Sequence, residues 1–171
     1  MSKPILPDRV ASIAESFIGR KESPLGSNRG PDLQEFFDAD HYDPNGSKPG
    51  DDGYAWCAAF VCRVVQKAME GREWTFKRPT TPGAWAFEKW SLAQDESTWT
   101  FRNPGWGDIE RGDIVIFRVS HIGIATGKPN MHEFFSTVEG NTNDKGGREG
   151  IAVMRKFRHV DEIRSRIRFR V

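Results

Sequence analysis

The hydrophobic period of this chain changes once along its length, and that change limits the folds open to it. Up to Trp90 the apolar residues recur at helical spacing; from Asp113 onward they fall in short alternating runs. Val10, Ile13, Ala14, Phe17 and Ile18 predict a first helix, with Asp8 as its cap and Gly19 as its stop. Pro31 opens a short second helix carrying Leu33, Phe36 and Phe37 on one side. Trp56 to Met69 is the strongest helical segment, with Ala59, Phe60, Val64, Ala68 and Met69 as its stripe and Gly71 after it. A shorter helix is expected over Pro82 to Trp90. Asp113 to Phe117, Ile122 to Thr126, Phe134 to Val138 and Ile151 to Phe157 then read as strands, rich in β-branched and aromatic residues and bounded by Gly, Asn or Pro. Arg166 to Val171 alternates Arg with apolar residues, as a last strand with one wet face would. Helices first and strands afterwards predict an α+β fold, with N-terminal helices packed on a C-terminal antiparallel sheet.

At 171 residues the chain has room for one domain, and no repeat or linker divides it, so residues 1–171 are read as a single unit. Ser23 to Gly30 and Asp38 to Gly53, dense in Gly, Asn, Asp and Pro, are expected as loops. A formal charge of +1 gives no general attraction to nucleic acid or anionic lipid. No apolar run is long enough to span a bilayer, so no membrane insertion is expected. Met1 to Pro7 lacks the basic start and apolar stretch of a secretion signal, so work outside the cytoplasm would need another route.

Two cysteines are too few for a disulfide framework. Cys57 and Cys62 fall on one helix, where a five-residue step rises about 7.5 Å and turns off the first residue's face. That exceeds what a disulfide tolerates, so both thiols are expected free. Cys57 stands at the first turn, where unpaired N–H groups and the positive end of the helix dipole stabilise a thiolate. Cys62 stands among Val61, Val64 and Val65, where burial disfavours charge. Position therefore selects Cys57 as the reactive thiol, against the alternative of a small buried residue.

A nucleophilic thiol needs an imidazole to take its proton and a polar group to hold that imidazole in one tautomer. His41 lies in the acidic loop, His132 in a turn and His159 at a basic strand end. His121 instead opens the run Ser120-His-Ile-Gly-Ile-Ala-Thr126, directly after Gly112-Asp-Ile-Val-Ile-Phe117. Alternation places it on one face with Gly123 and Ala125, leaving clearance for a helix end or a substrate. In Phe135-Ser-Thr-Val-Glu139-Gly-Asn141 the same period puts Glu139 and Asn141 on one face, so either reaches the second ring nitrogen. The alternative is that Glu139-Gly-Asn141 is only a turn.

Together these segments resemble the CHAP family of cysteine, histidine-dependent amidohydrolases and peptidases, cousins of the NlpC-like wall hydrolases. The resemblance lies in Trp56-Cys57-Ala-Ala-Phe-Val61, Gly112-Asp-Ile-Val-Ile-Phe117, His121-Ile-Gly-Ile-Ala125 and Val138-Glu-Gly-Asn141, in that order and register, over roughly residues 9 to 158. Gly26-Ser-Asn-Arg-Gly-Pro31 also looks like a stretch preceding the nucleophile in one bacterial and phage branch. The resemblance implies a papain-like fold and cleavage of peptidoglycan, either between muramic acid and L-alanine or within the stem peptide and cross-bridge. Carried over by position, it implies Cys57 as nucleophile, His121 as base, Glu139 as third member and Asn141 as fourth. It implies an oxyanion hole that includes the Cys57 backbone N–H. Tyr54 and Trp56, flanking the thiol, are the candidate substrate-binding residues; Tyr54 is also a candidate oxyanion donor or a packing aromatic, and Trp56 equally suits packing under the helix.

Some members of the family hold calcium in an acidic loop. Here Asp38, Asp40 and Asp43, with Asp51 and Asp52, offer oxygen ligands, although their spacing departs from the family's loop and solvated acids fit as well. No other cofactor is expected, and zinc is not, because Cys57 and His121 have no second ligand pair near them. The basic tail from Arg155 suits either attraction to anionic wall polymers or, preferably, protection of an edge strand by alternating arginines. Of the six tryptophans, Trp85, Trp90, Trp99 and Trp106 join helix to sheet, and one or two are candidates to line a substrate groove.

Three functions stay open on these residues: a wall hydrolase, a binding module that keeps the fold without the chemistry, and a related cysteine hydrolase with another substrate. The expected partner is peptidoglycan, and the chain is expected to be a monomer. A phage lysin and a toxin injected into a rival bacterium, the latter with an immunity protein as partner, fit the absent signal equally.

Overall fold

The computed structural model describes residues 5–40, 53–94, 97–102, 108–143 and 150–171. Its helices come first: α1 (Leu6–Ser16), a 3-10 turn (Pro31–Leu33) continuing into α2 (Gln34–Asp40), α3 (Cys57–Met69) and α4 (Ala86–Leu92). The strands follow as β1 (Thr98–Arg102), β2 (Ile114–Phe117), β3 (Ile122–Ala125), β4 (Phe134–Thr142), β5 (Ala152–His159) and β6 (Ile163–Phe169). They form a six-stranded sheet in the order β1-β6-β2-β3-β4-β5, every neighbouring pair antiparallel. The α+β arrangement with helices on an antiparallel sheet agrees with the change of period in the sequence.

Helix α3 is apolar around most of its circumference, as a helix enclosed on several sides must be. It packs between α1 and α2 on one side and β3 and β4 on the other. Ile114, Ile116, Ile122, Ile124, Val138, Val153 and Ile167 form the sheet's contribution to this core. Contact with β4 is close because residue 140 is glycine: a Cβ there would lie 2.6 Å from the Phe60 Cβ and 2.9 Å from the Trp56 ring. The opposite face of the sheet carries a second apolar cluster that includes Val115, Phe117, Ala125, Phe135 and Ile163.

Several boundaries differ from the sequence reading. Asp8 is in the first turn of α1 and not its cap; Ile5 occupies that position without a side-chain hydrogen bond, and Pro7 follows Leu6 in the first turn. Helix α4 begins at Ala86, past Pro82, with the Ala86 N–H bonded to the Gly83 carbonyl. Asp38 and Asp40 are helical, not loop. Strand β4 runs through Glu139-Gly140-Asn141 to Thr142, because what resembled a turn is a bulge with Asn141 in the left-handed region at φ 53°.

The largest revision concerns the arginine-rich end. Strand β6 is not an edge: β1, a strand not predicted from the sequence pattern, pairs along one side of it and β2 along the other. Its arginines are therefore not an exposed guard. Arg166 is buried opposite Val115, and Arg168 donates to both carboxylate oxygens of the buried Asp113 at 2.8 and 2.7 Å. No helix among the described residues is long and apolar enough to cross a membrane.

Candidate active site

Cys57 is the first residue of α3, and Trp56 before it provides no side-chain cap, so the first N–H groups of the helix have none from this position. Both cysteines are free. Cys62, one and a half turns further, is enclosed in the core with its Sγ 3.5 Å from the Thr81 carbonyl oxygen, and burial pushes its thiol up to about 12. It is an inert thiol at neutral pH.

His121 sits at the return of the β2–β3 hairpin, which closes through a 2.8 Å hydrogen bond from the Phe117 N–H to the His121 carbonyl. Ser120, at φ 50°, makes the sharp step that delivers the imidazole. The ring is fully buried and stacks against Phe117, with centroids 5.8 Å apart and planes 20° from parallel. Its Nε2 is 2.9 Å from Oε2 of Glu139. An ionised carboxylate only accepts, so Nε2 carries a hydrogen and donates it. Nδ1 is then the ring nitrogen left for the thiol.

Burial, the largest single influence, works against charge on His121. The adjoining Cys57 and Glu139 overcome it and raise the imidazole to about 9. For Glu139, burial likewise works to raise the carboxyl, but Arg158 and His121 outweigh it and lower the group to about 2. Imidazolium beside carboxylate is thus the favoured form at neutral pH.

The clearance beside His121 has a different occupant from the one the sequence implied. A Cβ on Gly123 would lie 2.6 Å from Cγ of Glu139, so the missing side chain makes room for the Glu139 stem and not for a helix end or a substrate. Around the carboxylate, Thr137 Oγ1 donates to Oε1 at 2.6 Å, Arg158 Nε to Oε1 at 2.8 Å, and an Arg158 terminal nitrogen to Oε2 at 2.6 Å. Thr137 is two residues from Glu139 and shares its face, which alternation alone reveals. Arg158 lies on the neighbouring strand β5, and only the pairing register brings it in.

Asn141 does not reach His121. The bulge turns it to the other side, where, with its amide oriented to match its neighbours, it accepts from the Trp56 N–H at 3.3 Å and donates to the Gly150 carbonyl at 2.7 Å. It holds the residue before the thiol in place. Trp56 offers no surface to a substrate: it is fully buried, stacked on Phe36, and its Nε1–H donates to Glu22 at 2.9 Å. This corrects its assignment as a substrate contact. The Tyr54 hydroxyl lies 3.0 and 2.8 Å from the two carboxylate oxygens of buried Asp40, with its ring edge-on to Phe37, so its hydrogen is engaged by that carboxylate.

That contact also bears on the acidic loop. Asp40 is engaged by Tyr54 and Asp38 by the amide of Gln34, whereas Asp43, Asp51, Asp52 and His41 lie outside the described residues. Among the described residues no group of three or more His, Cys, Asp or Glu is placed to hold a metal ion. Trp85 is half-exposed beneath the Arg164 guanidinium, while Trp106 and the side chain of Trp99 lie outside the described residues.

No family model matches the sequence, and no curated protein matches it. Among solved structures, the chain is similar to the wild-type endolysin LysIME-EF1, with a TM-score of 0.52 and 17% identity. The match covers 95% of this chain and 63% of the endolysin, so the chain spans less than two thirds of that protein's length. The likeness is one of fold.

Proposed function

We propose that this chain is a papain-like cysteine hydrolase of the CHAP type that cuts an amide bond of peptidoglycan. The observation that carries the reading is a thiol at the first residue of a buried helix beside a buried imidazole, whose Nε2 is committed to the Glu139 carboxylate and whose Nδ1 is left for the thiol. Likeness of fold to an endolysin supports the wall as substrate.

In this reading the Cys57 thiolate attacks the amide carbonyl and the negative charge moves to oxygen, where the Cys57 N–H at the helix start stabilises it. The imidazolium of His121 gives its Nδ1 proton to the departing nitrogen as the C–N bond breaks, leaving a thioester and a free amine. Water then attacks the thioester. His121 takes a proton from that water, the C–S bond breaks, and the carboxylic acid leaves as the thiolate–imidazolium pair returns. Glu139 keeps the ring oriented and does not itself take up the proton. The bond is either the muramoyl–L-alanine amide or one in the stem peptide or cross-bridge, and the site of action is the wall, outside the cytoplasmic membrane.

The test is release of new amino groups from purified peptidoglycan by wild type, Cys57→Ala and Cys62→Ala. Cys57→Ala is expected to abolish release and Cys62→Ala to retain most of it. Equal loss in both variants would overturn the assignment of the nucleophile. Wall binding without any release by the wild type would leave a binding module in its place.

A further inference from the structure

We infer that Arg158 is the positioning residue that fixes the tautomer of His121, acting through Glu139, so that the working unit runs Cys57–His121–Glu139–Arg158. This deepens the hydrolase reading and rests on it, but its test does not require a wall substrate.

The argument begins with the carboxylate. Oε1 of Glu139 accepts from Arg158 Nε and from Thr137, while Oε2 accepts from an Arg158 terminal nitrogen and faces His121 Nε2. A two-pronged guanidinium contact of this kind fixes the plane of a carboxylate as well as its charge. Arg158 is itself held. Its remaining terminal nitrogen donates to Glu162 at 3.0 Å, and its guanidinium carbon lies 4.8 Å from the centroid of the Phe117 ring. Phe117 is the same ring that stacks on His121. One aromatic side chain therefore braces both ends of the Glu139 carboxylate's contacts.

The chemical consequence concerns which ring nitrogen carries hydrogen. His121 must be able to lose its Nδ1 proton to the leaving amine and regain one from water, and at the neutral stage the remaining hydrogen has to be on Nε2. A carboxylate at Glu139 ensures this, because it only accepts. A buried carboxyl without a permanent cation beside it tends to take up a proton. A protonated Glu139 would donate to Nε2 and move the ring hydrogen to Nδ1, where it blocks proton transfer from the thiol. Arginine stays charged at every working pH, so it keeps Glu139 an acceptor even while His121 is neutral. The charged and titratable groups facing the carboxylate are His121 from the β2–β3 hairpin and Arg158 from β5. Cys57 of α3 adjoins it through His121, and Glu162 of the 3-10 turn Val160–Glu162 through Arg158.

The experiment measures alkylation of Cys57 by iodoacetamide from pH 4 to pH 9, with the modified peptide identified by mass, in full-length wild type, Arg158→Met, Arg158→Gln and Arg158→Lys. Arg158→Met is expected to slow alkylation by about a hundredfold or more near pH 5, in line with the loss that a wrong imidazole tautomer causes. The loss should shrink as pH rises and Glu139 ionises, so a new acidic limb appears in the profile. Arg158→Gln, shorter, polar and uncharged, should show the same limb and serves where the Met variant does not fold. Arg158→Lys restores the charge and should restore the wild-type profile shape, with a smaller uniform loss because one nitrogen replaces a fork. Profiles that keep the wild-type shape in both uncharged variants would overturn the inference, as would a Lys variant indistinguishable from them. If alkylation follows the inference while no wall amide is cut, the hydrolase reading fails and the role of Arg158 stands.

Discussion

Two buried carboxylates at this sheet are gripped by arginine in nearly the same way, and only one of them adjoins the candidate site. Asp113, just before β2, accepts from Arg168 on both oxygens at 2.8 and 2.7 Å and from the Glu110 N–H at 2.9 Å. Glu139, on β4, accepts from Arg158 at 2.8 and 2.6 Å and from Thr137 at 2.6 Å. Their acidities nevertheless move in opposite directions. Burial dominates at Asp113 and leaves it raised despite Arg168, whereas Glu139 is lowered to about 2. The difference is a second cation in hydrogen-bond contact. Nε2 of His121 lies 2.9 Å from Glu139, while the second guanidinium at Asp113, that of Arg166, stays 3.9 Å away. An arginine fork limits the rise of a buried carboxyl, and the imidazolium turns the rise into a fall. A buried Arg–carboxylate pair is thus ordinary structure, and the histidine is what makes one of the two a candidate catalytic group.

The comparison breaks most visibly when each carboxylate is replaced by its amide. Glu139→Gln is expected to lower hydrolysis on the order of a thousandfold, because an amide can present hydrogen to Nε2 and misdirect the ring. It also leaves Arg158, at 7% side-chain exposure, paired with the partly exposed Glu162 but without its buried acid partner, a cost of about 3 kcal/mol in stability. Asp113→Asn should cost less, about 1–3 kcal/mol, because Arg168 is 20% exposed and keeps water as a partner. Its hydrolysis rate should stay within a few-fold of wild type. Steady-state kinetics with chemical denaturation separates the two, and a large rate loss in Asp113→Asn would mean that both pairs serve the site.

The pH dependence of stability sharpens the same contrast. His121 is raised from an ordinary value of 6.5 to about 9, so its contribution is complete below pH 6.5 and is lost as pH rises through about 9. Glu139 is lowered from 4.5 to about 2, so its contribution is complete above pH 4.5 and is lost as pH falls through about 2. Asp113 has the opposite sign to Glu139: the fold favours its protonated form, and this favour is lost as pH rises through the raised pKa. Thermal melting from pH 6 to pH 10 is therefore expected to show a fall in Tm for wild type and for Asp113→Asn. The fall should be much flatter in Glu139→Gln, which removes the acid partner of His121. Equal flattening in both variants would dissolve the distinction.

What the sequence revealed follows the same division between local and non-local causes. Cys57 and His121 stand out in the sequence by features confined to their own segments, a helix start and an alternating strand. Glu139 could not be separated from Asn141, because strict alternation puts both on one face. The bulge at Gly140-Asn141 breaks that alternation, at a point where Phe60 and Trp56 seat closely on Gly140. Arg158 is one of many basic residues in the sequence, and its partner depends on the register of β5 against β4. The misreading of β6 as an edge has the same origin: the edge is covered by β1, a short strand whose assignment needs the partner it pairs with. Trp56 was misassigned because nearness to a nucleophile in sequence says nothing of which way a large ring points.

The smallest effect tests how the two carboxylates differ in their neutral donors. At Asp113 that donor is a backbone N–H, fixed by the chain and indifferent to substitution; at Glu139 it is the Thr137 hydroxyl, 2.6 Å from Oε1. Thr137→Val removes the hydroxyl with little change of volume and leaves the arginine fork and His121 in place. The oxygen that loses Thr137 still accepts from Arg158 Nε, so the carboxylate is not left bare. The expected cost is about 1 kcal/mol in stability, with a loss of a few-fold in hydrolysis and no new limb in the pH profile. Denaturation and a pH–rate series on the same preparation check both. A loss approaching that of Glu139→Gln would show that the hydroxyl, not the guanidinium, keeps this carboxylate in its working state, and the likeness of the two arginine pairs would then explain nothing about the site.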